Sequence, residues 1–597
     1  MHNRHGGNNM DKAKDFSGSI KKLLEYNKKF IKLIVIALIL SFLSSVFSII
    51  GPDKLKEITN TIQEGIISGI DLEYVKTIGL TLVILYSLSI IFNYVQGFIM
   101  TTVTNKFQKD LRKDIEHKIN KLPLSFFDKV AVGDILSRIT NDVDTIGWTM
   151  NQSLGSLVSS LTLLLGSIFM MFYTNWILAL VAIISSVFGF VFVVIILVKS
   201  QKYFNEVQNS LGDINGHIEE VFSGHNIIKA YNAEESTNEM FDEINERLFE
   251  SGRKSQFLSG LMHPMMGFIG NFGYVMVCVV GAILVMNKSM SFGVIVAFMM
   301  YIRFFTQPLM SIAQAMSGLQ SAAAASERVF EFLDEEEMTD ESNFKDVLVP
   351  SKAKGNLEFK NVQFGYDKEK IIIHDFNAKV SSREKIAIVG PTGAGKTTIV
   401  NLLMKFYDIN KGDILIDGHS IKNLTRENVH DLFTMVLQDT WVYEGSIKDN
   451  IRYNNPNITD EEIINACKLV GLHHFIKTLP NGYDTIISDN DGLSAGEKQL
   501  LTIARAMLSK TPYLILDEAT SNVDTRTEEL VSKAMDKLSE EKTSFIIAHR
   551  LSTIRNADMI LVVSNGDIIE KGTHEELLKK NGFYADLYNS QFQDLLD

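Results

Sequence analysis

The sequence predicts a multidomain chain: an all-α transmembrane unit of six helices with long cytoplasmic extensions, followed by an α/β domain built around a P-loop. Two observations carry this. Long charge-free runs fill the first half of the 597 residues and are missing from the second. In the second half a short apolar strand, a glycine-rich loop and a helix follow one another across residues 385–406. A chain of this length exceeds one hydrophobic core, so separate domains are expected, with boundaries at 1–15 (tail), 16–334 (membrane helices), 335–354 (linker) and 355–597 (P-loop domain).

The tail is polar, rich in Asn and His, and expected to be disordered, with no apolar segment of the signal-peptide kind. His2 and His5 form too loose a pair to argue for a metal. A formal charge of −13 argues against a general nucleic-acid binder, which would present a basic face. Cys278 and Cys467 stand far apart, outside any metal-ligand spacing, and are expected to be small apolar residues rather than a disulfide.

Lys21, Lys22, Lys28, Lys29 and Lys32 precede the charge-free run 33–52. As a helix that run crosses the roughly 30 Å hydrocarbon layer, and the lysines ahead of it favour a cytoplasmic N-terminus. A second span is expected at 77–100, after an outer loop carrying Asp53, Lys54, Glu57 and Asp71. Residues 106–144 are strongly charged, with a break near Pro123, and read as the second helix projecting into the cytoplasm, turning at 122–128 and returning. No charge occurs from 145 to 198, which suits two spans at 154–173 and 177–198 hinged at Thr174-Asn175-Trp176. The charged pattern repeats over 199–254, interrupted near Gly224, before spans at 260–286 and 291–310. Six is even, so both ends lie on one side of the plasma membrane.

The two cytoplasmic interruptions, near Phe126-Phe127 and over 224–231, are expected to form short transverse helices that hand force to a soluble domain, their tips buried through Phe126, Phe127 and Ile227. Arg303 lies in the sixth segment, where it meets an anionic or polar part of a substrate, sits near the cytoplasmic end or pairs structurally. Met262, Met265, Met266, Met276, Met286, Met299, Met300 and Met310 enrich the last two spans, fitting an adaptable apolar binding surface and lipid-facing packing equally.

In the second half, Gly390-Pro391-Thr392-Gly393-Ala394-Gly395-Lys396-Thr397 matches the P-loop pattern, with Thr398 continuing into the helix. Backbone N–H groups of such a loop cradle phosphates, the lysine reaches the β- and γ-phosphates, and the Thr397 hydroxyl is placed on Mg²⁺. Tyr366, ahead of the loop, is suited to stack on adenine. Gln438 follows a strand-like 434–437, and Leu493-Ser494-Ala495-Gly496-Glu497 precedes a helix over 498–508. The apolar run 513–516 ends in Asp517, expected in the Mg²⁺ shell, and Glu518, expected to polarise the attacking water. His549 follows a second apolar strand at 544–548, where it is expected to hold that water in line.

This ordered set resembles the ATP-binding cassette (ABC) transporters, specifically exporters with six membrane helices fused ahead of one cassette. The resemblance implies a dimer in which ATP is sandwiched between one subunit's P-loop and the other's signature, so that Ser494 and Gly496 meet the γ-phosphate. It further implies Tyr366 as the adenine platform, Gln438 as a link between nucleotide, Mg²⁺ and membrane helices, and Asp524 as a relay between the two sites. The implied activity is ATP-driven export of an amphipathic small molecule, drug or lipid, with a lipid flippase or an ATP-gated channel as alternatives. Glu518 and His549 argue for turnover rather than gating.

The signature departs from the family's usual Leu-Ser-Gly-Gly-Gln at Ala495 and Glu497, and the preceding Asp489-Asn490-Asp491 lacks the family's common glutamate. Glu497 brings a negative charge near phosphates unless it turns away or is paired. The pattern resembles one half of a heterodimeric exporter, with a homodimer left open.

Overall fold

The computed structural model describes residues 14–367, 370–437, 440–488, 493–517, 525–547 and 554–592. They fall into two compact units, one within Met1–Lys121 and Ala131–Glu336, the other within Leu122–Val130 and Glu337–Asp597.

Among the described residues of the first unit, six helices are long and apolar enough to cross a membrane. An amphipathic helix, Phe16–Tyr26, and one 3₁₀ turn, Asn27–Phe30, lead into the first, Ile31–Ser68. The others are Leu72–Ile119, Val143–Thr174, Trp176–Ser223, Glu234–Met286 and Phe292–Leu333. The hinge at Asn175 forms as expected, its side chain capping the fourth helix by accepting from the Ile177 and Leu178 N–H groups, both at 3.1 Å.

The outer loop of the sequence reading is corrected. The first helix runs on through Pro52, so Asp53, Lys54 and Glu57 lie on helix rather than loop. Ion pairs one turn apart, Lys54 with Glu57 at 2.7 Å and Lys56 with Asp53, support the extension. Only at Gly69, with φ 96°, does the helix stop, and Asp71 then caps the second helix by accepting from Tyr74 N at 3.0 Å.

Small residues bring these helices together, as lipid offers no hydrophobic drive between them. Ser44 and Ser89 hydroxyls meet at 2.9 Å between the first and second helices, and Ser41 donates to Gly155 O at 3.0 Å on the third. At the charged end, Arg328 of the sixth helix grips Asp142 at the foot of the third through Nε at 3.0 Å and Nη2 at 2.5 Å.

The second unit holds twelve strands among its described residues. β1 (Leu357–Phe364), β2 (Ile373–Val380), β4 (Lys411–Ile416) and β5 (His419–Ser420) make an antiparallel sheet in the order β2-β1-β4-β5. β3 (Lys385–Val389), β6 (Phe433–Val436), β9 (Tyr513–Asp517), β10 (Thr543–Ile547), β11 (Met559–Ser564) and β12 (Asp567–Gly572) make a second, ordered β12-β11-β3-β10-β9-β6. A two-stranded piece pairs β7 (Gly445–Ser446) with β8 (Ile486–Ile487). Within the second sheet all pairs but β11–β12 are parallel, and the near-continuous apolar runs of β3, β9, β10 and β11 are what burial on both faces requires.

Two apolar clusters organise this unit. One joins the antiparallel sheet to β3 and the P-loop helix through Phe359, Phe376, Ile399 and Leu403. The other gathers the helices Ile447–Arg452, Asp460–Leu469, His473–Thr478 and Ala495–Met507 around Ile451, Ile463, Ile476, Leu500 and Leu501.

Short helices form at both expected interruptions, as Leu124–Phe127 and His225–Tyr231, and they differ. The first belongs to the second unit, where Tyr407 hydrogen-bonds Asp128 and Phe126 and Phe127 are half-buried. The second stays with the membrane helices, and Ile227, expected to be buried, is 65 % exposed because no element of its own unit covers it.

The expected linker contains an anchored stretch. From Glu341 onward it is tied down, because the Glu341 carboxylate is held by Arg426 Nη1 at 2.6 Å and Lys405 Nζ at 2.9 Å. The Asn428 side chain then holds the Leu348 backbone, its Oδ1 accepting from Leu348 N at 2.9 Å and its Nδ2 donating to Leu348 O at 2.8 Å.

Candidate ATP site

β3 ends at Val389 and the helix Lys396–Leu403 opens after the glycine loop. Gly395 occupies its N-cap at φ 103°, a conformation open to glycine, and no side chain caps the helix. The first-turn N–H groups are left to an outside acceptor, and the helix dipole makes that acceptor an anion. The loop is supported from behind. A Cβ on Gly390 would overlap the Val563 carbonyl oxygen, and Ala394 O accepts from Gly566 N at 3.1 Å.

Lys396 is 8 % exposed, and its Nζ donates to the Gly390 and Pro391 carbonyls at 2.8 and 3.0 Å. Burial lowers its pKa from the ordinary lysine value, against the raising pull of the Asp517 carboxylate. A buried cation whose hydrogen bonds go to neutral carbonyls fits a site made for phosphate oxygens. Thr392, Gly393 and Thr397 are exposed, whereas Thr398 is buried with its Oγ1 3.3 Å from the Tyr366 hydroxyl.

Tyr366 stands just past β1, its ring set edge-on to Phe364 and Tyr407 with centroids 5.0 and 4.9 Å away. Its hydroxyl accepts from Asn401 at 3.2 Å, and 40 % of the residue remains exposed, as a stacking platform requires. Tyr407, Asn401 and the Phe364 ring therefore position the platform.

The register of the parallel strands aligns their carboxyl ends along one edge. Ile388 of β3 pairs with Ile547 of β10, which pairs with Asp517 at the end of β9. Val436 of β6 pairs with Leu516, so β6 ends at the same carboxyl edge. Gln438, Glu518, Asp524 and His549, with Asp489-Asn490-Asp491, lie outside the described residues.

The signature packs in the helical cluster, away from the cluster that holds the P-loop. Ser494 is the N-cap of Ala495–Met507, and Gly496 is buried in its first turn. Glu497 turns back in a full capping box: its Oε2 accepts from Ser494 N and Ser494 Oγ, both at 2.8 Å, while Ser494 Oγ accepts from Glu497 N at 3.3 Å. Among the described residues no hydrogen bond or ion pair joins residues 390–398 to 494–497.

Gly566 is the residue that sequence reasoning missed. It sits in the two-residue turn Asn565-Gly566 between β11 and β12, with φ of 47° and 80°, and a Cβ there would overlap the Ile372 carbonyl oxygen. The Asn-Gly dipeptide between apolar runs was the available signal.

A six-helix membrane unit joined to a P-loop ATPase unit defines an ATP-powered membrane protein. This chain belongs to the ABC transporters, with permease and ATP-binding parts fused in one polypeptide. Residues 34–309 match the ABC transporter transmembrane region, and residues 373–521 the ABC transporter ATP-binding family. The uncharacterized ABC transporter ATP-binding protein YfiC of Bacillus subtilis is 40 % identical over 99 % of this chain and 97 % of its own length. A fatty acid ABC transporter ATP-binding/permease protein of Mycobacterium tuberculosis is 43 % identical over 86 % of this chain and 81 % of its own. An ATP-dependent lipid A-core flippase of Syntrophus aciditrophicus is 34 % identical over 87 % and 86 %. The chain is therefore an ATPase that couples hydrolysis to transport of a small molecule across a membrane.

Proposed function

We propose that this chain is one half of an exporter that moves an amphipathic small molecule, drug or lipid out across the plasma membrane, its ATP-binding unit in the cytoplasm. The observation that carries the reading is the pairing of an open P-loop with a self-capped signature in a different cluster of the same unit. Each then needs its complement from a second half-transporter. The self-capped Ser494 favours a different chain as that partner, since its hydroxyl proton is committed to Glu497.

MgATP, when bound, supplies the phosphoryl group whose hydrolysis drives the cycle. Lys396 exchanges the Gly390 and Pro391 carbonyls for β- and γ-phosphate oxygens, Gly390 to Thr398 cradle the chain of phosphates, and Tyr366 takes the base. Among the described residues no group of three His, Cys, Asp or Glu side chains is placed to hold a metal ion. Mg²⁺ would accordingly be held by Thr397, Asp517 and Gln438 with phosphate oxygens. Glu518 polarises the attacking water, His549 holds it in line, and Asp524 relays between sites.

For the cargo, Arg303 stands twelve residues into the sixth helix, roughly 17 Å from its start at 1.5 Å per residue. It is exposed, as is Gln307 one turn on along the same helical face. A polar stripe at that depth belongs against a water-filled cavity and suits the head of an amphiphile. The relatives named for fatty acid and lipid A-core substrates support this choice.

Uptake of a fluorescent fatty acid into inside-out vesicles tests the reading. ATP-dependent accumulation that disappears in Lys396→Ala and Glu518→Gln is expected. Steady ATP hydrolysis without accumulation of anionic, neutral or cationic amphiphiles would contradict it.

A further inference from the structure

A second polar site lies where the membrane helices meet the cytoplasm. Tyr26, Lys28, Lys29, Asp110, Lys113 and Asp114 line a cavity of about 450 Å³ between the N-terminal turn and the extension of the second helix. Its acids are already engaged: Lys29 pairs with Asp110, and the Tyr26 hydroxyl donates to Asp114. The Tyr26 ring is fixed in turn by Phe107 and Phe330, at 5.6 and 5.9 Å. Lys28 and Lys113, by contrast, are exposed, and among the described residues neither has a hydrogen-bond or ion-pair partner. Three lysines against two aspartates leave the lining with a net positive charge, and the two ammonium groups without a direct partner face the same cavity.

The surroundings say what kind of anion fits. Ile31, Leu33, Val35 and Ile36 begin the exposed apolar surface of the first membrane helix directly after the lysines. Phe16 and Leu24 are exposed on the amphipathic helix before them, beside Lys21 and Lys22. That is the layout of a helix lying in the membrane interface with its cations at headgroup level.

We propose that this cavity binds the phosphate-bearing headgroup of an anionic phospholipid, with Lys28 and Lys113 on the phosphate and the acyl chains along the apolar surface that starts at Ile31. The ligand bridges the entry to the first helix and the cytoplasmic extension of the second. It is a bound lipid of the inner leaflet, separate from the cargo and from the ATP site.

The test is native mass spectrometry of the full chain released from nanodiscs of phosphatidylglycerol and phosphatidylcholine in equal amounts. The wild type is expected to retain phosphatidylglycerol selectively. Lys28→Ala/Lys113→Ala should lose roughly thirtyfold in that retention, from about tenfold or less per lysine at the membrane surface, while Lys345→Ala, in the linker of the ATP-binding unit, should not change it. Equal retention of the two lipids by the wild type, or undiminished phosphatidylglycerol in the double variant, would overturn the proposal. Displacement of the lipid by millimolar inorganic phosphate would also overturn it, assigning the cavity to a free anion instead.

Discussion

Two helices of the ATP-binding unit present their N-termini to solvent, and the chain treats them in opposite ways. Lys396–Leu403 starts from a left-handed glycine with no side-chain cap, so its N–H groups stay available. Ala495–Met507 starts from Ser494 with Glu497 folded back onto it, so the Ser494 and Glu497 N–H groups and the serine hydroxyl are engaged internally. An uncapped helix start costs about 1 kcal/mol relative to a capped one. The P-loop forgoes that stabilisation and gains an anion site; the signature keeps it and meets an outside phosphate less readily.

The largest expected effect comes from emptying the open terminus. Lys396→Ala should lower ATPase turnover about a thousandfold, the scale seen when a donor to transition-state charge is removed, with the unit still folded by circular dichroism. Next is Gly566→Ala, which forces a methyl against the Ile372 carbonyl at φ 80° and disturbs the support under Ala394. Strain of this kind is worth about 1–3 kcal/mol, so ATP affinity measured by fluorescence should fall roughly ten- to a hundredfold.

Glu497→Gln addresses the closed terminus. Glutamine keeps the capping box and removes the charge, so ATP held at the interface capped by this signature should bind up to about tenfold tighter. Glu497→Ala should cost about 1 kcal/mol of helix stability instead, and comparing the two separates charge from capping.

The smallest effect is a pH slope away from both termini. Burial brings Lys542 from the ordinary lysine value of 10.5 down to about 8. Its pKa is lower folded than unfolded, so between those values the unfolded chain binds more protons and stability rises with pH. Lys542 is only half-buried by solvent exposure, so the gain stays below about 1 kcal/mol. Thermal melts should show it in the wild type and not in Lys542→Gln.

How far each region was legible in the sequence follows from how local its determinants are. The P-loop, its strand and its helix are consecutive, and the membrane spans are apolar runs with Arg303 their one permanent charge, so both could be read directly. The extension of the first helix past Pro52 was hidden because charges signal loop unless their i,i+3 pairing is considered. Glu341 looked like linker because its partners, Arg426 and Lys405, lie more than sixty residues on. The fold of Glu497 onto Ser494 was implicit in the Ser-x-x-Glu spacing, which names a capping box whenever a helix follows. The Asn-Gly dipeptide marks Gly566 as a turn glycine, but not its place under the P-loop, because the Ile372 carbonyl that it must clear, just ahead of β2, lies far away in the chain.

The most direct test of the asymmetry is ATPase activity of this chain alone in nanodiscs, set beside its activity when reconstituted with candidate half-transporters. The account predicts negligible turnover alone, recovery with a second, different half-transporter, and loss of that recovery in Glu518→Gln. Robust turnover by the isolated chain, abolished by the same substitution, would contradict it and make the Ala495/Glu497 signature a working partner to its own P-loop in a homodimer.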